Sequence, residues 1–189
     1  IISNENGRKE QHVHWWLDAF KSALTQASTA AKINLQQIKA IGVSGQQHGM
    51  VVLDKHDKPL YPAKLWCDTE SSVENAEIIE ALGGSQAFMA QIGLQLQTGY
   101  TASKILWLQR HQPEIYQQID KIMLPHDYIN YWLTGRFVSE FGDASGTGYM
   151  NVHQRQYDAQ VFAVVAPNLE MDNCLPCLID AEQSVGMIR

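Results

Sequence analysis

The sequence lacks a long hydrophobic run, an excess of basic residues and a rich supply of cysteine. No stretch approaches the roughly 18 consecutive apolar residues that span a bilayer, and the first residues contain no hydrophobic region of a signal peptide. Lys and Arg number 14 against 20 Asp and Glu, which gives a net charge of -6 and a pI of about 5.6. We therefore expect neither a membrane nor a nucleic acid as the main partner.

The three cysteines are too few for a disulfide framework and favour a reducing, cytoplasmic setting. Cys174 and Cys177 have CxxC spacing, but they follow a polar turn rather than a strand and are separated by a proline. No further ligands for a structural zinc ion stand nearby. We therefore interpret Cys174 and Cys177 as two buried, inert thiols. The seven histidines are scattered without a metal-binding spacing, so no metal site is predicted.

A length of 189 residues, 45% of them hydrophobic, suits one domain with a real core. The start at Ile1 and the apolar finish over 185–189 leave open that the chain is a piece of a longer protein. Hydrophobic periodicity and turn residues predict an α/β fold. The predicted helices cover about 15–27, 70–82, 101–111, 125–133 and 157–165, and the predicted strands cover 38–44, 50–53 and 123–124.

Two glycine-flanked polar segments could carry chemistry. Residues 45–49 read Gly-Gln-Gln-His-Gly directly after a predicted strand, where ligands bind in α/β sheets. Residues 141–148 hold Asp143 between glycines, where a carboxylate can approach a substrate and act as general base. From the local sequence alone, residues 45–49 are better explained as a solvated hairpin loop than as a binding site. Asp143 is likewise better explained as a residue that caps a turn or helix than as a base. Neither segment is a GxxxxGK[ST], a GxGxxG or an Asp-x-Gly-Thr phosphate loop.

Six short motifs in chain order carry a resemblance that local chemistry does not supply. They are Ser-Gly-Gln-Gln-His-Gly at 44–49, Pro-Ala-Lys-Leu-Trp-Cys-Asp at 62–68, Thr-Ala-Ser-Lys at 101–104, Leu-Pro-His-Asp-Tyr at 124–128, Leu-Thr-Gly at 133–135 and Gly-Asp-Ala-Ser-Gly-Thr at 142–147. Together they resemble the N-terminal domain of the FGGY carbohydrate kinases, over residues from about 15 to 189. The Gln-His-Gly element resembles the xylulokinase branch, whereas glycerol kinases carry an Arg-Glu pair that is absent here.

The resemblance implies an actin-like ATPase, or ribonuclease H-like, fold with a mixed sheet and flanking helices, lacking its first strands. Residues 1–189 would form a partial N-terminal sugar-binding domain. The implied reaction is ATP-dependent phosphorylation of a ketopentose, D-xylulose to D-xylulose 5-phosphate. ATP and Mg²⁺ would bind largely outside these residues, because no Asp-x-Gly-Thr loop is present. The implied partners are therefore a small sugar and ATP. Whether the protein forms a homodimer is left open by the sequence.

The resemblance also assigns roles to single residues. Asp143 matches the catalytic base, Gln47 and His48 match positions that contact the ketose, and Asp68 borders the same cleft. The alternatives are a kinase for L-ribulose, another pentulose or a polyol, and a non-catalytic sugar-binding module derived from a kinase. Because the nucleotide side is missing, the 189 residues alone are predicted to phosphorylate no D-xylulose.

Overall fold

Residues 1–189, all of which the computed structural model describes, form helices and short strands. The helices are α1 (Val13–Ala31), α2 (Ser72–Ala81), α3 (Ser85–Ile92), α4 (Thr101–His111), α5 (Pro113–Tyr116), α6 (Pro125–Thr134), α7 (Phe141–Ser145), α8 (Ala159–Val165) and α9 (Met171–Cys174). The strands are β1 (Ile2–Ser3), β2 (Lys9–Gln11), β3 (Val51–Leu53), β4 (Ala63–Lys64), β5 (Lys121–Met123), β6 (Val138–Glu140), β7 (Met150–Asn151), β8 (Gln156–Tyr157) and β9 (Cys177–Ile179). The predicted α/β class is confirmed.

The strands form four small sheets. β1, β2 and β4 make an antiparallel three-stranded sheet, β3 pairs antiparallel with β5, and β7 pairs antiparallel with β8. β6 and β9 are parallel, with Val138 opposite Cys177. An isolated bridge between Met50 and Lys64 connects the start of β3 to β4. Strand directions are thus mixed, as predicted, but the strands are distributed over several sheets.

The predicted strand over residues 38–44 is wrong. The N–H of Ile38 bonds the carbonyl of Leu35, and no residue from 39 to 44 takes part in a backbone hydrogen bond. A β-type composition makes a strand only where a second backbone lies alongside it, and none does here. The segment instead separates two cavities, of about 640 and about 400 Å³.

The helices with clear end signals lie where the sequence predicts them. α4 matches its predicted bounds, and α6 begins with Pro125 and ends before Gly135, whose φ of 73° suits a left-handed cap. α1 is longer than predicted and ends at Lys32, which adopts a φ of 53° without being glycine. α3 was not predicted. It directly follows the glycines that end α2, and its Phe88 is fully packed in the core.

Helix α4 occupies the centre of the main core. Its residues from 101 to 108 are buried on every face, including the polar side chains of Thr101, Ser103 and Lys104. A smaller apolar cluster lies between α1, the β3–β5 pair and α6. The loop 44–49 contacts the N-terminal part of α4, since Thr101 and Lys104 both donate to the carbonyl of His48.

The cysteine prediction is half right. All three cysteines are free, Cys174 is buried, and burial raises the pKa of its thiol to about 12, which keeps it inert. Cys177 is exposed at the start of β9 rather than buried. No helix combines the length and apolarity needed to cross a membrane.

Candidate functional site

The loop 44–49 lies directly against the N-terminus of α6. A Cβ added to Gly45 would lie 3.0 Å from the Cα of His126, and one added to Gly49 would lie 2.5 Å from Cγ of Pro125. Close packing against α6 therefore excludes a side chain at Gly49 and leaves very little room for one at Gly45. The glycines that sequence analysis singled out fix where the intervening polar residues lie.

His48 has an uncommon backbone conformation, and two contacts hold its ring in one orientation. Its backbone adopts a φ of 58°, an uncommon conformation for a residue other than glycine. Its imidazole stacks on the Tyr100 ring with centroids 4.4 Å apart, and Nδ1 lies 3.0 Å from the carbonyl oxygen of Gly146. A Cβ on Gly146 would lie only 1.9 Å from that Nδ1, so glycine is needed there. The ring thus joins the loop 44–49 to the turn after α7.

The contact with Gly146 assigns the proton on His48. A carbonyl oxygen only accepts hydrogen bonds, so Nδ1 carries the proton and donates it. Burial lowers the pKa of His48, and the nearby Lys104 charge lowers it further, against the opposing effect of the Gly146 carbonyl. A neutral ring then leaves Nε2 with a free lone pair, able to accept a hydrogen bond from a hydroxyl.

Adjacent glutamines in the loop differ in their hydrogen bonding. The side-chain amide of Gln46 donates to Oε1 of Gln11 at 3.1 Å, which also accepts from the indole of Trp16. The side chain of Gln47 is exposed and makes no hydrogen bond within the chain. Gln47 therefore has a free donor and a free acceptor beside His48, the combination that pairs with a sugar hydroxyl.

Asp143 lies in the short helix α7, whose first turn is capped by Glu140. The Glu140 carboxylate accepts hydrogen bonds from the backbone N–H groups of Gly142 and Asp143. Both carboxylate oxygens of Asp143 are buried and have no hydrogen-bond partner. Burial, with the Asp127 charge second, raises the pKa of Asp143 to about 6. The result is a carboxyl group without a hydrogen-bond partner that titrates close to neutrality.

His126 lies between two carboxylates at the start of α6. Its Nδ1 is 3.3 Å from Oδ1 of Asp127 and 3.6 Å from Oδ2 of Asp143. Hydrogen bonding to Asp127 raises the pKa of His126 above its ordinary value. The other Asp127 oxygen accepts from the backbone N–H of Leu124, which anchors this helix start. His126 was not singled out from the sequence.

Asp68 is held by buried hydrogen bonds and an ion pair. Its side chain is fully buried and its oxygens accept from the backbone N–H groups of Lys9 and Glu70 and from Nζ of Lys64. The same ammonium lies 2.6 Å from Glu70 and 3.2 Å from Glu10. Asp68 therefore belongs to a buried ion-pair network, and its place at the border of a sugar cleft stays a prediction.

All of the chain, residues 1–189, matches the family described as the FGGY family of carbohydrate kinases, N-terminal domain. The chain belongs to this family. It is 51% identical over 193 residues to a xylulose kinase of Haemophilus influenzae and 38% identical over 190 residues to one of Lactococcus lactis. The alignments cover 100% of this chain but only 39% and 37% of those proteins. The chain thus spans less than two fifths of the length of these relatives.

Solved structures of sugar and glycerol kinases share the fold along the whole chain. The crystal structure of a xyloylose kinase from Brucella ovis superposes with a TM-score of 0.91 at 33% identity, covering 100% of this chain and 38% of that one. A glycerol kinase from Plasmodium falciparum with ADP gives 0.88 at 23% identity, covering 100% and 38%, which shows the fold alone. The fold is therefore that of the N-terminal domain of actin-like sugar kinases, as the motif order predicts.

Neither carboxylate cluster in this FGGY domain fits the Mg²⁺ that kinase chemistry implies. Among Glu10, Asp68 and Glu70 the cationic position is taken by the ammonium of Lys64. In the cluster of His126, Asp127 and Asp143, one ligand is nitrogen and Asp127 is already hydrogen-bonded. Mg²⁺ takes oxygen ligands in near-octahedral geometry, and neither cluster offers them.

The structure adds residues to the FGGY site that sequence reasoning missed. Tyr100 supplies the face on which His48 stacks, and Lys104 donates to the His48 carbonyl. One feature of the sequence indicates that Lys104 is buried: the apolar residues Ile105 and Leu106 directly follow it. The loop 44–49 and the turn after α7 meet over a separation of 98 residues, which no local pattern reveals.

Proposed function

We propose that the protein containing this chain phosphorylates a ketopentose with ATP, and that D-xylulose, giving D-xylulose 5-phosphate, is its substrate. In this proposal residues 1–189 supply the sugar side. The proposal is supported by the xylulose kinase names of relatives that are 51% and 38% identical. No relative is assigned another sugar at comparable identity among those described above.

One observation carries the sugar-binding part of the proposal. His48 has its Nδ1 fixed on Gly146 and its Nε2 free, and the amide of Gln47 next to it is free and exposed. A ketose presents several adjacent hydroxyls, and pre-positioned single donors and acceptors select among their arrangements. Neither of the two cavities beside residues 38–46 is lined by Gln47 or His48.

Asp143 is proposed as the general base for the attacking sugar hydroxyl. Its support is a buried carboxylate with no hydrogen-bond partner and a pKa raised to about 6, close to where a base is most effective. It is three residues from Gly146, which holds the imidazole of His48. In phosphoryl transfer such a carboxylate takes the hydroxyl proton, while positioning and charge stabilisation supply most of the acceleration.

The substrate is tested in the complete protein with a coupled ADP-release assay. D-xylulose, L-ribulose, other pentuloses and polyols are compared at equal concentrations. The highest kcat/KM is expected for D-xylulose. A clear preference for L-ribulose or a polyol would keep the family reaction and overturn the sugar. Binding of D-xylulose without any ATP-dependent turnover would favour a non-catalytic sugar-binding module.

The base is tested with Asp143→Asn, and Asp172→Asn, at an exposed position of helix α9, is the matched control. Loss of a general base lowers kcat by about 10²–10⁴-fold, with sugar affinity largely kept. The control is expected to be as active as the unmodified protein. If Asp143→Asn retains more than about a tenth of the kcat, the base lies elsewhere, and Asp143 serves only the packing of α7.

A further inference from the structure

Lys104 is a buried ammonium that the proposed reaction does not use. It lies on α4 with no exposed surface, and no carboxylate lies within ion-pairing distance of its Nζ. Its two hydrogen bonds go to backbone carbonyls, that of His48 at 2.6 Å and that of Gly99 at 2.5 Å. A buried ammonium without a counter-ion is costly to fold, and an apolar side chain would pack in the core at less cost.

The two carbonyls that Lys104 holds belong to both sides of one stack. The first is that of His48 itself, and the second directly precedes Tyr100, whose ring faces the His48 imidazole. The hydroxyl of Thr101 adds a weaker contact to the same His48 carbonyl at 3.4 Å. One ammonium therefore fixes the backbone at each partner of the ring pair.

His48 needs such a restraint because its backbone has a positive φ of 58°, which costs energy outside glycine. Without the bond to Lys104, relaxation of that backbone would move the ring relative to Gly146. A displaced ring would turn its free Nε2 away from the position beside Gln47. Small misplacements of a ligand-contacting group are costly, since hydrogen bonds weaken steeply with distance and angle.

We propose that Lys104 is a positioning residue of the ketose site, acting through His48 by holding the carbonyls on either side of the His48–Tyr100 stack. The effect of Lys104 on sugar binding rests on the proposed function. Its effect on the position of the His48 ring does not.

The bonds from Lys104 persist whether the group is charged or neutral. Burial lowers the pKa of Lys104 to about 7, with Asp68 raising it, Lys64 lowering it and the Cys67 thiol raising it by smaller amounts. A neutral amine still has two N–H donors for two carbonyls. We therefore expect Lys104 to hold His48 in place both above and below neutral pH, without acting as a pH switch.

The sugar test uses the complete protein and calorimetric titration with D-xylulose. Lys104→Met is expected to raise the Kd about tenfold or more, while kcat at saturating sugar changes less. The matched control is Ile105→Val, a buried change one residue along α4 that touches neither carbonyl, and its Kd is expected to be unchanged. If Lys104→Met does not fold, Lys104→Gln replaces it, since it removes the charge and shortens the reach.

A double-mutant cycle separates positioning from general loss of stability. Because Lys104 acts through His48, the double variant Lys104→Met/His48→Ala is expected to bind as weakly as His48→Ala alone. Additive losses, or a folded Lys104→Met with a Kd within about twofold of the unmodified protein, would overturn the proposal.

A sugar-independent measurement distinguishes failure of this inference from failure of the proposed function. The Nδ1 proton of His48, held on Gly146, is observed by NMR in histidine-labelled protein. It is expected to be present in the unmodified protein and in Ile105→Val, and lost to exchange in Lys104→Met. If the unmodified protein binds no ketose, the proposed function fails, and this signal alone decides whether Lys104 holds the ring. Its retention in Lys104→Met would contradict the proposal.

Discussion

Replacing Lys64 by methionine is expected to destabilise the domain strongly. The Lys64 ammonium is fully buried and lies 3.2 Å from Glu10, 3.3 Å from Asp68 and 2.6 Å from Glu70. It also lies 3.8 Å from the centre of the Trp107 ring. Removing it leaves two fully buried carboxylates, Glu10 and Asp68, with far less compensating charge.

The expected cost follows from the burial of these partners. Breaking a buried ion pair by deleting one member costs about 3–5 kcal/mol, because the remaining charge stays desolvated. The bond from Arg8 to Glu10 at 2.7 Å compensates one carboxylate in part, but Asp68 has no second cationic side chain. For a domain of this size such a loss lowers Tm by about 6–20 °C.

Urea denaturation followed by circular dichroism, together with scanning calorimetry, measures the change in the free energy of unfolding. The control is Lys121→Met, because Lys121 pairs with the exposed Asp57 and Asp120 and is expected to cost less than about 1 kcal/mol. Lys64→Met/Glu10→Gln should be less destabilised than Lys64→Met, since one uncompensated charge is gone. A loss below about 1 kcal/mol for Lys64→Met would refute the reasoning.

Three further results are expected. If Asp143 is the base, its pKa of about 6 makes kcat/KM fall as pH drops below that value, and a profile flat down to pH about 5 would contradict the role. Gly146→Ala should weaken ketose binding about tenfold or more, because its Cβ would lie 1.9 Å from Nδ1 of His48, and an unchanged Kd by calorimetry would contradict this. Iodoacetamide should label exposed Cys177 well before buried Cys174 in mass spectrometry of the folded protein, and equal rates would show that the two thiols are similarly accessible.

The helices whose ends carry chemical signals could be predicted from the sequence. Pro125 fixes the first turn of α6, and Gly135 supplies the left-handed cap at its end. These signals act over a few residues and need no tertiary partner. The segment 38–44 shows the opposite case, since its β-type composition cannot supply the neighbouring backbone that a strand requires.

The polar residues of the site were predicted by motif, but their arrangement was not. Gln47 and His48 stand out because glycines flank them, yet the contact of His48 with Gly146 joins residues that are 98 apart. The sequence also does not reveal that the carboxylate of Asp68 pairs with the buried ammonium of Lys64. Sequence patterns identify chemically capable side chains, whereas long-range packing decides which of them face a ligand.

Sugar recognition by the loop 44–49 is tested most directly by comparing its two glutamines. In the complete protein, calorimetric titration with D-xylulose is carried out on Gln47→Ala and Gln46→Ala. Gln47→Ala removes a free amide and is expected to raise the Kd about tenfold or more. Gln46→Ala removes an amide that is bonded to Gln11 and is expected to change the Kd by less than about threefold. Equal effects, or no effect of Gln47→Ala, would contradict binding of the ketose at this loop.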